Sequence, residues 1–509
     1  MPVAARVPAS RFGCADQIAG ELLKAPRRGL PAPRRRRGAG RRSHRLAGRP
    51  APAGHHRWAD PGRRSAARHP GCSAADLGVS RGVVTEAYQR LVEDGQVAGR
   101  GRAGTVVVAA PSAPPAPPPA PAAPATLFPH APGSGIFRRR TRGACTDDLT
   151  PGVPDLAAFP RADWLRAERT VLRHLAASDF GYGDPCGTPA LRRAVATWLG
   201  RSRGIAVDPA EVIIVAGVSQ ALGLLAQALR RDGIDRMGVE DPGSLGVRQH
   251  LNNWQVDTPP VTVDAAGVRV DELAASGLPA VMLTPAHQFP TGVVLDGERR
   301  RQLVAWARAG GLVIEDDYDA EHRYDRPPVP ALRGLLPDQV CYAGSVSKLL
   351  APALRVGWLL VPARYREAVV AAKRNADLGN AVLPQLVLAE LMSSGALERQ
   401  LRLLRRRHVQ RRDAMIAAVA AHLPGATVHG AAAGLHLMIT LDGDVVDAEL
   451  AAATLELGVK VQPLSWHCQR VYRPGLVLGY AANTASDIQE GIATIAAALR
   501  QMPPAARLR

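Results

Sequence analysis

Val340-Cys341-Tyr342-Ala343-Gly344-Ser345-Val346-Ser347-Lys348 opens on an apolar run and ends on a lone lysine. The run Val340–Tyr342 reads as a buried strand, and the small polar residues after it as the turn at its carboxyl end. A lysine desolvated at such a place has a depressed pKa and is a competent amine nucleophile. The plainer alternative is a surface lysine whose stem lies along apolar neighbours. Arg355 follows seven residues on. Together with the hydroxyls of Ser345 and Ser347, its guanidinium is suited to anchoring a phosphate dianion.

Working outward, three more strand ends carry polar clusters. Leu312–Ile314 is followed by Glu315-Asp316-Asp317-Tyr318-Asp319. Acids at the carboxyl end of a buried strand lie where open α/β sheets bind ligands. An aspartate there can pair with a pyridinium nitrogen and keep a ring protonated as an electron sink, and the tyrosine can bond the ring's phenolic oxygen. Read alone, the same residues are also compatible with a solvated acidic loop. Val281–Thr284 leads into Pro285-Ala286-His287-Gln288-Phe289-Pro290-Thr291-Gly292, a rigid loop in which His287 by itself reads as an ordinary loop histidine. Val212–Val215 runs into Ala216-Gly217-Val218-Ser219-Gln220 and then a helix. A glycine turn at a helix N-terminus presents unpaired N–H groups and the positive dipole end, a ready phosphate site. The same turn resembles a nucleophile elbow. A serine hydrolase would need an Asp and a His at later strand ends, and would leave Lys348 and the acids unexplained.

Near-continuous apolar strands interleaved with helices such as Ala221–Leu229 and Arg299–Ala309 argue for an α/β domain from about residue 126 to the end. The expected architecture is a mostly parallel sheet covered on both faces. Strand Val356–Leu360 belongs to it. The Arg-rich segment Ala396–Ala421 reads as one long helix, leading into a smaller C-terminal α+β subdomain with Leu435–Leu441 and Leu476–Tyr480.

The 509 residues suffice for two or more domains. The net charge of +19 is concentrated, since residues 1–73 hold 16 Arg and one Lys against three acids, or +14. That basic excess says little about the main domain. Residues 1–73 show almost no apolar periodicity, so we expect disorder there. Residues 110–125 contain eight prolines among alanines, a linker reaching ~50 Å at ~3.1 Å per residue. The six cysteines (Cys14, Cys72, Cys145, Cys186, Cys341, Cys468) form no CxxC pair, so neither a metal cluster nor a disulfide framework is expected. With no apolar run long enough for a membrane and no signal-peptide pattern, the chain reads as cytosolic.

Patterning returns at residues 74–109. Ala75-Asp76-Leu77-Gly78-Val79-Ser80-Arg81 reads as a helix–turn with Ser80 capping a second helix. That helix carries Val83, Val84, Ala87, Tyr88 and Leu91 at spacings that bury one face. Gly95 ends it, and Gln96–Val108 reads as a two-stranded wing.

Taken in order, these motifs resemble fold-type-I pyridoxal-phosphate enzymes, and more narrowly the MocR-type regulators. The resemblance runs from about Leu149 to the C-terminus. It includes Pro151-Gly152-Val153-Pro154-Asp155, Phe159-Pro160, Trp164, Gly181-Tyr182-Gly183-Asp184-Pro185, the His287–Gly292 loop, the Asp316 and Lys348 motifs, the stretch Leu397–Arg412 and Gly434-Leu435-His436. It implies that Lys348 holds pyridoxal 5'-phosphate as an aldimine, that Asp316 pairs with the ring nitrogen and that Tyr318 contacts the ring oxygen. It further implies that Gly217, Val218, Ser219, Ser345, Ser347 and Arg355 hold the phosphate, with Tyr182 reaching the phosphate of a neighbouring subunit in a homodimer. Two positions depart from the pattern. Asp241-Pro242-Gly243-Ser244 lacks an aromatic residue to stack on the ring, and Leu476–Asn483 lacks an arginine for a substrate carboxylate, Arg473 lying just before it.

Residues 74–109 resemble the second half of a GntR-type winged helix-turn-helix. On that match Ser80, Arg81 and Thr85 face the DNA major groove, and Arg100 and Arg102 lie on the wing near phosphates. Upstream, Arg63–Pro70 stands where the family has a Pro-Ser-x-Arg-x-Leu segment, so we expect residues 25–73 to be out of frame, or the winged helix to lack its first helix. The resemblance implies a dimeric DNA-binding transcriptional regulator that senses an amine or pyridoxal phosphate itself. The alternatives are an aminotransferase with a vestigial DNA-binding segment, and a DNA-binding protein with a dead sensor domain.

Overall fold

The structure, a computed structural model, describes residues 66–67, 80–93, 97–99, 105–107 and 147–502, apart from residues 320 and 325–328. The chain divides into two compact units, residues 1–124 and 125–509.

In the first unit, the helix Arg81–Glu93 buries Val84, Ala87, Tyr88 and Leu91 on one face, as their spacing predicts. Strands Val97–Gly99 and Thr105–Val107 pair antiparallel, at the positions where a two-stranded wing is expected. A third strand was not expected: Ala66–Ala67 pairs with Thr105–Val107, Ala66 opposite Val106, so part of the segment read as disordered has a partner. Residues 75–79, Arg100, Arg102 and the proline-rich linker lie outside the described residues.

The second unit is built on an eight-stranded sheet. Its strand order is Ile213–Val215, Gly357–Leu360, Val340–Ser345, Leu312–Asp317, Ala280–Leu283, Gly238–Asp241, Pro260–Asp264 and Gly267–Val268. Neighbours run parallel except at Gly357–Leu360, antiparallel to both its partners, and at the edge hairpin with Gly267–Val268. This is the expected mostly parallel sheet, with one reversed strand inside it. Alternate residues of each strand feed two cores. Ile213, Val215, Ile314, Cys341, Ala343 and Leu359 pack under the helix Val218–Arg231, whereas Ile214, Tyr342 and Trp358 pack with Leu191, Trp198 and Leu388 on the other face. Each fully buried aliphatic side chain contributes roughly 1.5–3 kcal/mol.

Helix ends follow local chemistry. The helix Pro189–Arg203 starts at Thr188, whose side chain accepts from Leu191 N, and stops at Gly204, which takes the left-handed conformation at φ 69°. The long helix Ala396–His422 leads into a four-stranded antiparallel sheet of Ala426–His429, His436–Leu441, Gly475–Gly479 and Gln462–Pro463. Ile488, Ile492 and Ile495 of the helix Ala485–Gln501 pack on it, which is the expected C-terminal subdomain. No helix among the described residues is long and apolar enough to cross a membrane.

Candidate functional site

At one end of the site, strand Ile213–Val215 passes through Ala216 and Gly217 into the helix Val218–Arg231. The first intrahelical bonds run from Gln220 N and Ala221 N to Gly217 O, at 3.1 and 3.3 Å. The amides of Val218 and Ser219 therefore point out of the helix N-terminus, where the dipole favours an anion. Val215, Gly357 and Ser345 stand opposite one another across three strands. A Cβ on Gly357 would lie 3.1 Å from Gly217 Cα, 3.1 Å from Ser345 Cβ and 2.7 Å from Gly344 O. Only glycine lets the turn and Ser345 close on each other. Arg355, exposed at the mouth, donates to Ala216 O, and its Nη1 would lie 3.2 Å from a Cβ on Gly217. Ser345 Oγ accepts from Ser347 N at 3.3 Å. The residues read from sequence as phosphate ligands thus converge on one turn.

At the other end, the acids are not a loop. The strand runs through them as Leu312–Asp317, so Glu315, Asp316 and Asp317 are buried, and the solvated alternative is wrong. Alternation sends Asp316 to the side of Ile314, beneath the Val218–Arg231 helix, and Glu315 and Asp317 to the opposite face. Asp317 Oδ2 accepts from Arg203 Nε and from the Tyr342 hydroxyl, each at 2.5 Å. Glu315 accepts from the amides of Leu332 and Arg333 at 3.0 and 3.1 Å. Asp316 has no such partner: its Oδ1 is buried and meets no donor among the described residues. Burial, then the charges of Asp317 and Asp319, push its carboxyl up to about 7, opposed by the charge of Lys348. Lys348 itself is half-buried and donates to Gly152 O. Gly152 has φ 81°, and a Cβ there would stand 3.2 Å from Lys348 Nζ.

Beside these groups, His287 is buried and not an ordinary loop residue. Its Nδ1 lies 2.9 Å from Asp319 Oδ2 and 3.0 Å from the Tyr318 hydroxyl. Burial and then the charges of Asp319 and Asp316 hold the Tyr318 phenol well above its usual range, so it keeps its proton. Phe289 packs edge-on to Tyr318, with ring centroids 6.2 Å apart, and against His436 and His467 at 5.0 Å each. Burial pushes both those imidazoles down to about 3, so they stay neutral. Tyr182 is not brought into this group; it is 95% exposed. Arg473 also stands apart, paired with Asp442 at 2.7 Å. The elbow alternative finds no support, because Ser219 is exposed in the first helical turn and His250 bonds its backbone. Sequence reasoning missed Gly152, Asp319 and the Arg203–Asp317 pair. Asp319 and Gly152 stand in motifs quoted from the sequence, but their partners lie tens to hundreds of residues away, so the contacts themselves were not visible.

The profile of the aminotransferase class I and II family matches residues 148–495. The probable rhizopine catabolism regulatory protein MocR of Rhizobium meliloti is 30% identical over 433 residues, 84% of this chain and 87% of its own length. The HTH-type pyridoxine biosynthesis transcriptional regulator PdxR of Corynebacterium glutamicum is 31% identical over 84% of this chain and 89% of its own. The chain belongs to the MocR-type family of regulators. Among solved structures, the α-aminoadipate aminotransferase LysN of Thermus thermophilus, complexed with N-(5'-phosphopyridoxyl)-L-leucine, superposes with a TM-score of 0.64. It is 25% identical, and the match covers 72% of this chain and 97% of that one. The large unit of this MocR-type chain therefore has the fold of the type-I aminotransferases. In its first unit, Ser80, Arg81 and Thr85 are exposed, away from the buried face of their helix, and Thr85 Oγ1 donates to Arg81 O at 2.9 Å.

Proposed function

We propose that this MocR-type regulator holds pyridoxal 5'-phosphate at Lys348 and reports an amine, or the cofactor itself, to its DNA-binding segment. One observation carries the reading: Asp316 Oδ1, buried without a donor on the same side of the sheet as Ser345 and the phosphate turn. A protonated ring nitrogen is the donor that position lacks, so the residues fit the cofactor. When bound, pyridoxal phosphate supplies an aldehyde that captures amines and a ring that accepts electrons.

The chain's own groups have distinct parts in this reading. Lys348 offers its amine, held at Gly152 O until it is used. Asp316 fixes the ring nitrogen's proton, and Tyr318 keeps the hydroxyl proton it offers to the ring oxygen. Val218 and Ser219 amides, Gly217, Ser345, Ser347 and Arg355 hold the phosphate. Tyr182, with its ring in solvent, serves a second copy of the chain in a homodimer. In the first unit, Ser80, Arg81 and Thr85 meet the major groove, with Arg100 and Arg102 at backbone phosphates. An effector acts only through different affinities for two arrangements of the protein. The organisation assumed is a reader at 74–109, a linker at 110–125 and a sensor at 126–509, in the cytosol.

The likeness to LysN favours a second reading, an aminotransferase with a vestigial DNA-binding segment. Three measurements separate these. Adding pyridoxal phosphate to the purified chain should produce a visible absorption band, and borohydride should then fix the cofactor to Lys348 by mass spectrometry. Lys348→Ala should lose both. A wild type that takes up no cofactor sinks the sensor reading. Turnover of an amino donor and a keto acid would favour the enzyme, and a salt-dependent shift of its promoter DNA the regulator.

A further inference from the structure

We propose that Lys373 is a positioning residue for the phosphate-binding turn, acting through Gln220 and Asp377. The inference rests on the role given above to that turn. Lys373 lies on the helix Ala363–Asp377, fully buried, where that helix packs against Val218–Arg231. Its Nζ donates to Gln220 Oε1 at 3.2 Å, Asp377 Oδ2 at 3.0 Å and Asn380 Oδ1 at 2.7 Å. Gln220 Oε1 also accepts from Ala216 N at 2.7 Å, while its Nε2 donates to Asp377 Oδ2 at 2.6 Å.

Donor and acceptor types leave the Gln220 amide one orientation. Lys373 and the Ala216 amide can only donate, and an ionised Asp377 can only accept. Residue Ala216 is thereby gripped on both sides, its N–H by Gln220 and its carbonyl by Arg355. Gly217, which follows it at φ 80°, has a wide range of conformations to lose. Holding both backbone groups of the residue before it sets where the Val218 and Ser219 amides point. Without Lys373, Gln220 Oε1 and Asn380 Oδ1 lose a charged donor, and the Gln220 amide is no longer held to one orientation.

The network does not stop at the turn. Asp377 Oδ1 accepts from Gly379 N at 2.9 Å. Gln385 Nε2 donates to Asn380 O at 2.9 Å, and its Oε1 accepts from Thr188 N at 2.8 Å. Residues 377–386, 178–184 and 188–190 line a cleft of about 880 Å³ that includes Tyr182. The turn is thus set from behind, by the wall of this cleft, as well as from the front by Arg355.

The test uses the full-length chain, Lys373→Met and, on a half-exposed helical position that tolerates alanine, Gln220→Ala. Three quantities are compared: hydrogen exchange of residues 216–220 without ligand, Kd for pyridoxal phosphate, and the ³¹P resonance of the bound cofactor. We expect exchange in the turn and Kd each to rise about tenfold, as for lost bonds to a charged group. The ³¹P resonance should move while the visible band keeps its position, which a general loosening of the domain would not produce. Folded Lys373→Met with wild-type exchange, Kd and ³¹P resonance overturns the proposal. If Lys373→Met does not fold, the same readings on Gln220→Ala decide it. Should the wild type take up no pyridoxal phosphate, the functional reading fails, and the exchange comparison alone decides whether the network orders the turn.

Discussion

Asp316 and Asp317 are consecutive on one strand, both buried, and face opposite sides of the sheet. Asp317 has a cation of its own: Arg203 and the Tyr342 hydroxyl both meet its Oδ2. Its Oδ1 meets no donor among the described residues, nor does Asp316 Oδ1, but the guanidinium balances its charge. Asp316 faces the turn and Lys348 with no such ion pair among the described residues, and its carboxyl is held up at about 7. Two identical side chains are thus used in opposite ways. One has a counter-charge within the fold, and the other has no ion pair among the described residues.

Removing one side of each arrangement should separate them. Arg203→Leu leaves the Asp317 charge buried and alone, and should cost about 3–5 kcal/mol in urea unfolding. A smaller loss would mean that Tyr342 alone satisfies Asp317. Asp316→Asn should do the reverse. An acid whose folded pKa is raised binds more protons folded than unfolded, so its ionisation costs stability increasingly as pH rises from about 4 to about 7. The ligand-free variant should therefore gain roughly 2–4 kcal/mol at pH 7 and above, with the gain shrinking toward pH 4, while cofactor binding is lost. A variant that unfolds at the wild-type temperature across that range contradicts the assignment. Arg355→Ala touches the other end of the site, and should raise Kd for pyridoxal phosphate about tenfold with the fold intact, as equilibrium dialysis would show. Smallest in stability is Arg81→Ala, within ~0.5 kcal/mol by thermal melt, although operator affinity should fall by about 1–3 kcal/mol.

Much of this site was legible because strand ends announce themselves. Apolar runs closing on Gly217, Asp316 and Lys348 put the chemistry at one edge of a sheet, and the sheet does bring them there. Apart from Asp316, whose part the family resemblance implied, what the acids after Ile314 do individually was not legible. Strand alternation decides it, and the strand's extent depends on pairing with Val340–Ser345, which local composition does not reveal. Arg203 is 114 positions from Asp317, and Lys373 is 153 from Gln220, so their pairing is a product of the fold. Tyr182 shows the opposite limit. Its motif was easy to see, but a single chain leaves its ring in solvent.

The reversed strand Gly357–Leu360 has a consequence for variation. Because it runs against its neighbours, it begins, and does not end, at the edge that carries Ser345 and Val215. Arg355 therefore enters from the chain before a strand, whereas Lys348 and Gly217 leave from the chain after one and Asp316 sits in the last residues of its own strand. The intervals between these entry points are multiples of the ~4.8 Å step between hydrogen-bonded strands. Four neighbouring strands thus carry Gly217, Arg355, Lys348 and Asp316 in that order across the sheet. Connections on the far side of the sheet can lengthen without moving the strand ends that carry these residues.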